Sequence, residues 1–270
     1  MINIPMNTKP PVSLSALANA GNTQTTGAMN QAPMQNAMPM GNAQMPGAIN
    51  QAPMQNAMPM GNVQQPIASN NGTVPRPAAT GVILQKGQKT SLAKFGASLE
   101  NLDVGLGWDV ADRGVYDLDA ECFILGANDK VIGDDWFVYY NQPSSPDGAV
   151  RHSGDNRTGE GTGDDEVINI RLSQLNQQAQ KLVFVVTINE AKERNLNFSG
   201  VQNAYIRLVD KANNRELCRF NLTEYYSNVT SMVVAEIYRH NGEWKMNPVG
   251  DGMPADLYDL CVRYGVNVAG

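Results

Sequence analysis

The first 80 residues contain no Asp or Glu and no Phe, Tyr or Trp. Their only bases are Lys9 and Arg76, yet they hold ten of the thirteen methionines. A segment without aromatic side chains buries too little surface to offset the chain entropy that folding removes. We therefore predict a disordered, low-complexity tail over residues 1–80, rich in Met, Gln, Asn and Pro.

The tail carries an internal duplication with a period of 20 residues. Residues 28–42 and residues 48–62 differ only in Met29 and Ile49. Two copies interrupted by proline are too few for a solenoid, which usually needs about three repeats. We interpret the tail as a tether. The alternative is a scaffold or adaptor that binds partners or a membrane surface through these methionines.

Reactive side chains are scarce. The three cysteines, Cys122, Cys218 and Cys261, are far apart and form no CxxC pair, and the only histidines are His152 and His240. This predicts reduced thiols in a cytoplasmic protein. The sequence contains no P-loop, no dinucleotide fingerprint and no Ser-His-Asp arrangement, so we predict that the protein is not an enzyme.

Positive charge is also in short supply. Residues 81–270 carry 26 acidic residues against 18 basic ones, a net charge of −8. This balance argues against nucleic acid as a partner, because nucleic-acid binding requires a basic face. No run approaches the roughly 18 apolar residues that span a bilayer, so we predict no transmembrane segment.

From Gly81 onward, short runs of β-forming residues alternate with Gly, Asn, Asp and Pro. The predicted strands are Asp103–Trp108, Leu118–Leu125, Trp136–Asn141, Val167–Leu172, Leu182–Ile188, Ala204–Val209, Glu216–Leu222, Met232–Arg239 and Trp244–Val249. This spacing predicts an all-β domain over residues 81–270, a β-sandwich of two mostly antiparallel sheets. The apolar run Leu182–Ile188 should be a central strand. Short helices are predicted over Glu190–Asn195 and Ala255–Tyr264.

The stretch from Gly154 to Glu166 is acidic and rich in glycine. Its carboxylates belong to Asp155, Glu160, Asp164, Asp165 and Glu166. Carboxylates this close repel one another, and a hard cation bound by oxygen ligands, above all calcium, would relieve the repulsion. The interior does not match an EF-hand, because Arg157 and Gly159 occupy ligand positions and Glu160 replaces the required glycine. A charged surface loop without an ion is the alternative.

A second acidic group consists of Asp109, Asp117 and Asp119. Asp117 and Asp119 are two residues apart, so on a strand their side chains project to the same side, while Leu118 and Ala120 face the core. Such a pair is stabilised by a cation between the two carboxylates. The alternative is a solvated strand end, with Asp109 in a turn.

In order along the chain, several segments resemble the TerD-type tellurium-resistance and stress-response family. They are Val104–Asp109, Asp117–Ala120, Ser145–Glu166, Lys181–Ala191, Tyr238–Lys245 and Tyr264–Val268. The resemblance runs from about Gly81 to the end of the chain and leaves out the tail. It implies a cytoplasmic β-sandwich that binds calcium through acidic loops at one end.

The resemblance also implies a ligand set and a role. The implied ligands of one or two calcium ions are Asp109, Asp117, Asp119, Asp155, Asn156, Glu160, Asp164, Asp165 and Glu166. We expect a non-enzymatic calcium-binding protein of tellurite and stress resistance, whose calcium-ordered loops present a surface to other stress-response or tellurium-resistance proteins. Direct tellurite sequestration through the thiols is a further alternative.

Overall fold

A computed structural model describes residues 78–96, 98–110, 116–156, 163–222 and 227–268. Twelve strands lie within these residues. They are β1 (Val82–Leu84), β2 (Thr90–Ser91), β3 (Leu102–Val110), β4 (Leu118–Leu125), β5 (Phe137–Val138), β6 (Val150–His152), β7 (Glu166–Ile170), β8 (Lys181–Ile188), β9 (Val201–Asp210), β10 (Arg215–Asn221), β11 (Ser231–His240) and β12 (Glu243–Met253). The predicted tail, including its duplication, lies outside the described residues except for residues 78–80.

The strands form two six-stranded sheets. Sheet 1 has the order β1-β10-β9-β3-β7-β6, and sheet 2 has the order β2-β12-β11-β8-β4-β5. All the pairings between strands are antiparallel apart from that of β1 with β10. The predicted all-β class with two mostly antiparallel sheets is therefore confirmed.

The core lies between the two sheets. Alternate residues of each strand are buried against the other sheet, as with Leu106 and Ile206 of sheet 1 and Phe184 of sheet 2. The Cys218 sulfur of β10 lies 3.3 Å from the Met246 sulfur of β12, which places these side chains in contact across the sandwich. Strand β8 lies between β11 and β4, as predicted for a run that is apolar throughout.

The outer face of sheet 2 is covered by the one α-helix of the described residues, α1 (Leu257–Tyr264). The Asp256 carboxylate caps its first turn, and Gly265 ends it in the left-handed conformation, with φ of 80°. Leu260, Cys261 and Tyr264 are buried on one side of the helix, and the Tyr264 ring lies 4.6 Å from that of Phe123. The helix predicted at the end of the chain is confirmed, with a later start.

Other predicted elements differ. Glu190–Asn195 forms turns instead of a helix, because Glu190 and Asn195 adopt positive φ angles of 51° and 52° that a right-handed helix excludes. Trp136–Asn141 gives only the two-residue strand β5, preceded by a 3-10 helix over Asp134–Trp136. Strands β1, β2 and β6 have only two or three residues each, too few for a pattern to predict.

Three 3-10 helices occur in the described residues, at Leu92–Phe95, Asp134–Trp136 and Phe198–Gly200. The second of these is followed by β5 and then by Tyr139 and Tyr140. The rings of Phe123, Phe137 and Tyr139 stack in series at 4.4 and 4.7 Å on sheet 2. Nowhere in the described ranges is a helix long and apolar enough to cross a bilayer.

Candidate metal centre

Strand pairing brings the acidic segments to one end of the sandwich. Leu118 at the start of β4 pairs with Ile188 at the end of β8. In sheet 1, Glu166 at the start of β7 pairs with Leu106 near the end of β3, and β6 ends at His152 beside β7. We call this end of the molecule the acidic rim. It carries Asp117, Asp119, Asp155 and Glu166.

Three carboxylates of the rim converge. Asp117, Asp119 and Asp155 each offer one carboxylate oxygen, and these oxygens lie within 4.8 Å of one another. Asp119 is buried, Asp117 is half-buried and Asp155 is exposed. We call these three residues the carboxylate triad. It joins the two acidic segments that the sequence predicts as parts of one site, although 36 positions separate Asp119 from Asp155 along the chain.

Neighbouring strands hold the β4 side of the triad. Asp117 accepts a hydrogen bond of 2.9 Å from the Asn189 side chain, and its carbonyl oxygen accepts another of 2.9 Å from the Asn189 amide. Asp119 lies opposite Thr187 in the ladder between β4 and β8. Both aspartates are thus held against the end of β8, one by hydrogen bonds to Asn189 and the other by strand pairing with Thr187.

Glu166 fixes the two halves of the triad relative to each other. Its Oε2 atom accepts a hydrogen bond of 2.6 Å from the Ala120 amide, next to Asp119, and its Oε1 atom accepts one of 3.3 Å from the Asn156 amide, next to Asp155. The His152 Nε2 atom lies 3.4 Å from Oε2, and neither side chain is open to solvent. Because His152 Nδ1 accepts from the Gly154 amide, the proton of a neutral ring lies on Nε2 and points at Glu166.

Glu166 therefore acts as a clamp between the sheets. It belongs to β7 of sheet 1 and binds the backbone of β4 in sheet 2. The sequence predicts it as a metal ligand, whereas its oxygens here accept hydrogen bonds from protein donors. Asn156, another predicted ligand, lies beside Asp155 and contributes its backbone amide to this clamp.

The oxygen spacing suits a hard divalent cation. Two oxygens that bind one calcium ion from opposite sides lie roughly 4.6–5.2 Å apart, twice the usual Ca–O distance. The separations in the triad, up to 4.8 Å, fall within that limit. Without a cation, three negative charges at such distances repel by roughly 1 to 3 kcal/mol per pair, depending on the local dielectric. The donor set contains oxygen only, which favours calcium or magnesium over zinc or copper.

Comparison with known proteins agrees with this architecture. The family model described as the TerD domain matches residues 81–264. The chain belongs to the TerD domain family. It is 47% identical over 190 residues to the tellurium resistance protein TerD of Serratia marcescens, an alignment that covers 70% of this chain and 99% of that protein.

Two further relatives widen the comparison. The TerD domain described here is 42% identical to the general stress protein 16U of Bacillus subtilis (strain 168) over 190 residues, 69% of this chain and 98% of that protein. A crystal structure of a protein of unknown function is similar with a TM-score of 0.50 and 25% identity, covering 60% of this chain and 95% of that one.

The TerD domain places Asp164 on the outer face of sheet 1, away from the triad. Its carboxylate is bound by the Arg207 guanidinium through hydrogen bonds of 2.7 to 3.0 Å and by the Tyr205 hydroxyl at 3.0 Å. Gly105 of β3 lies directly beneath, where a Cβ atom would overlap Asp164. Glycine at this position leaves room for the Asp164 carboxylate against the strand.

The remaining predicted ligands are also placed outside the triad. Asp165 accepts a hydrogen bond of 2.8 Å from the Trp108 amide and donates its own amide to Leu106 at 2.7 Å. Asp109 accepts one of 2.8 Å from the Asn203 side chain. Glu160 lies outside the described residues. Of the eight predicted ligands within the described ranges, the structure thus brings together three carboxylates.

Two charged residues near the acidic segments, Arg207 and Glu121, are not among the site residues predicted from the sequence. Arg207 binds Asp164 and also Glu216, at 3.1 Å, and Glu216 binds Arg219, so these residues form an ion-pair network. Nothing in the strand pattern distinguishes Arg207 from a solvated base. Glu121 follows Asp119 by two residues on β4, just as Asp119 follows Asp117. This spacing could have predicted that Glu121 projects to the same side of the strand as the two aspartates.

Burial beside the triad changes the chemistry of its neighbours. Burial, and then the Asp119 carboxylate, raise the pKa of Glu121 well above its ordinary value. The same two causes, in the same order, raise the pKa of the half-buried Tyr140 hydroxyl to about 12. Both groups therefore lie close enough to the triad to respond to its charge.

Proposed function

We propose that this protein binds calcium at the carboxylate triad and acts without catalysis in resistance to tellurite and other stresses. The convergence of Asp117, Asp119 and Asp155, with oxygens within 4.8 Å of one another, carries the proposal. The stress role is supported by relatives that are named for tellurium resistance and general stress. A cytoplasmic location is part of the proposal and suits three free cysteines.

The proposed role of the cation is to neutralise charge between two segments of the chain. Asp117 and Asp119 are fixed to β4, while Asp155 belongs to the acidic stretch that follows β6. Binding would tie this stretch, Gly154–Glu166, to the strand. The tied stretch would then present a surface to another stress-response or tellurium-resistance protein. Linkage supplies the energy, because a ligand that binds only one arrangement stabilises it, by about 2.7 kcal/mol at one hundred times Kd.

Direct tellurite chemistry through the thiols receives less support. Cys122, Cys218 and Cys261 are all buried and free. Burial raises the pKa of the Cys218 thiol to about 12 and raises the pKa values of the other two thiols as well. Since the thiolate is the reactive form, none of the three is poised to attack or bind an oxyanion at neutral pH.

Titration calorimetry of the full chain with calcium and with magnesium tests the proposal. We expect calcium heat and a rise in Tm on adding calcium. Replacement of Asp119 by Asn should weaken calcium binding by roughly tenfold or more, because affinity follows the number of charged ligands.

Asp109→Asn is the matched control. It removes the same charge from a predicted ligand that lies outside the triad and is bound to Asn203. Its calcium affinity should equal that of the unmodified protein. Absence of calcium heat and of any Tm change up to millimolar calcium would refute the proposal.

A further inference from the structure

Glu121 is a buried carboxylate that the sheet does not fully satisfy. It lies on β4 two residues after Asp119, and only 1% of its surface is exposed. Its Oε1 atom accepts a hydrogen bond of 2.7 Å from the Thr187 hydroxyl. Its Oε2 atom is buried and has no hydrogen-bond partner among the residues that the structure describes. A buried polar atom left in this state costs about 1–3 kcal/mol, and folds retain few of them.

The Glu121 side chain points toward the acidic rim. Residues two apart on a strand project to the same side, so Glu121 and Asp119 share one face of sheet 2. The ladder pairs Asp119 with Thr187 and Glu121 with Val185. Because the Glu121 carboxylate reaches the hydroxyl of Thr187, it extends from its own row of the ladder into the row of Asp119.

A second orphaned polar atom lies in the same row. Ser231 of β11 pairs with Thr187 on the other side of β8, and its hydroxyl is buried without a partner among the described residues. Asp119, Thr187 and Ser231 therefore form a row of polar side chains across three strands that begins at the acidic rim. The Glu121 carboxylate contacts this row at Thr187.

We propose that Glu121 is a fourth carboxylate ligand of the cation site, its unpartnered Oε2 atom turning to the ion from the interior side when the ion binds. This inference rests on the proposed calcium function and deepens it. Calcium takes six to eight oxygen ligands, more than one oxygen from each triad residue supplies. A buried ligand on a central strand adds charge and rigidity to the site, and both effects raise affinity.

The test compares Glu121→Gln with the unmodified full-length protein. Glutamine keeps the shape of the side chain and removes its charge. We expect calcium affinity, measured by calorimetry, to fall roughly tenfold or more, while Tm in the presence of a chelator does not fall. A side chain that served only the fold would give the opposite result, a lower Tm with unchanged affinity.

Glu236→Gln is the matched control. Glu236 belongs to the same sheet and accepts a hydrogen bond of 3.0 Å from Asn247, but it pairs with Val183, far along the ladder from Thr187. Its calcium affinity should be unchanged. Terbium, used in place of calcium, gives a count of bound waters from its luminescence lifetimes in light and heavy water, and each protein ligand lost leaves a position for water. Glu121→Gln should add at least one bound water to terbium.

The outcomes separate the two proposals. No calcium binding by the unmodified protein overturns both. Binding by that protein with equal affinity and equal terbium hydration in Glu121→Gln overturns only the role of Glu121. If Glu121→Gln does not fold, Glu121→Asp replaces it, because shortening the side chain withdraws the oxygen from the ion while keeping the charge. Unchanged affinity and hydration in that variant overturn the inference equally.

Discussion

Removing the Glu166 carboxylate should destabilise the fold even without calcium. In Glu166→Ala the buried Ala120 amide loses its acceptor, and the Asn156 amide and the His152 ring lose theirs. A hydrogen bond to a charged group contributes about 1.5–3 kcal/mol, and a buried donor left unpaired costs about 1–3 kcal/mol. Water can replace the acceptor only at the half-buried Asn156. We therefore expect a loss of about 3–5 kcal/mol in the free energy of unfolding.

This loss is large against the 5–15 kcal/mol by which domains are usually stable. Urea unfolding of the full chain, followed by tryptophan fluorescence in the presence of a chelator, measures it. Glu166→Gln keeps one acceptor oxygen and should lose about half as much, while Glu100→Ala on the exposed surface should change the free energy by less than about 0.5 kcal/mol.

The chelator makes the result decisive. If Glu166 were only a calcium ligand, its removal would relieve repulsion in the metal-free protein and leave the fold equally stable or more stable. A loss below about 1 kcal/mol in Glu166→Ala would therefore refute the assignment of Glu166 as a clamp between the sheets.

Three further predictions follow from contacts away from the triad. Gly105→Ala should lower the free energy of unfolding by about 1–3 kcal/mol, because the new methyl group displaces Asp164 from Arg207; an unchanged Tm would contradict this packing. Ellman's reagent should label no cysteine in the native protein and all three in urea, since every thiol is buried; rapid native labelling would contradict that burial. Burial opposes ionisation of Asp256, but the Lys192 ammonium and the Asp259 amide outweigh burial and lower the pKa of Asp256. The ionised Asp256 therefore stabilises the fold above its ordinary pKa. This stabilisation is lost as pH falls through the lowered pKa. In Asp256→Asn the free energy of unfolding should lose this part of its pH dependence. An acid transition equal to that of the unmodified protein would show that Asp256 makes no such contribution.

The position of the candidate metal site could be predicted from the sequence, but the carboxylates that form it could not. The convergence of two acidic segments on one end of a sandwich could be predicted, because the Asp117–Asp119 spacing fixes a shared side and loops at strand ends meet at the rims of sheets. Which of the carboxylates lie together could not be predicted. Asp164 and Asp165 are as acidic in sequence as Asp155, but β9 supplies Arg207 and β3 supplies an amide, and these donors occupy them.

Local composition alone determined the all-β class, the central position of β8 and the terminal helix, because apolar periodicity and caps act over a few residues. The turn at Glu190–Asn195 departs from this, because Glu190 and Asn195 adopt positive φ angles that a right-handed helix excludes. Tertiary structure alone decided which carboxylates face one another and which face arginine or backbone amides. The reason is that a charge is satisfied by whatever lies within a few ångströms in space, and strand order, not sequence distance, sets those neighbours.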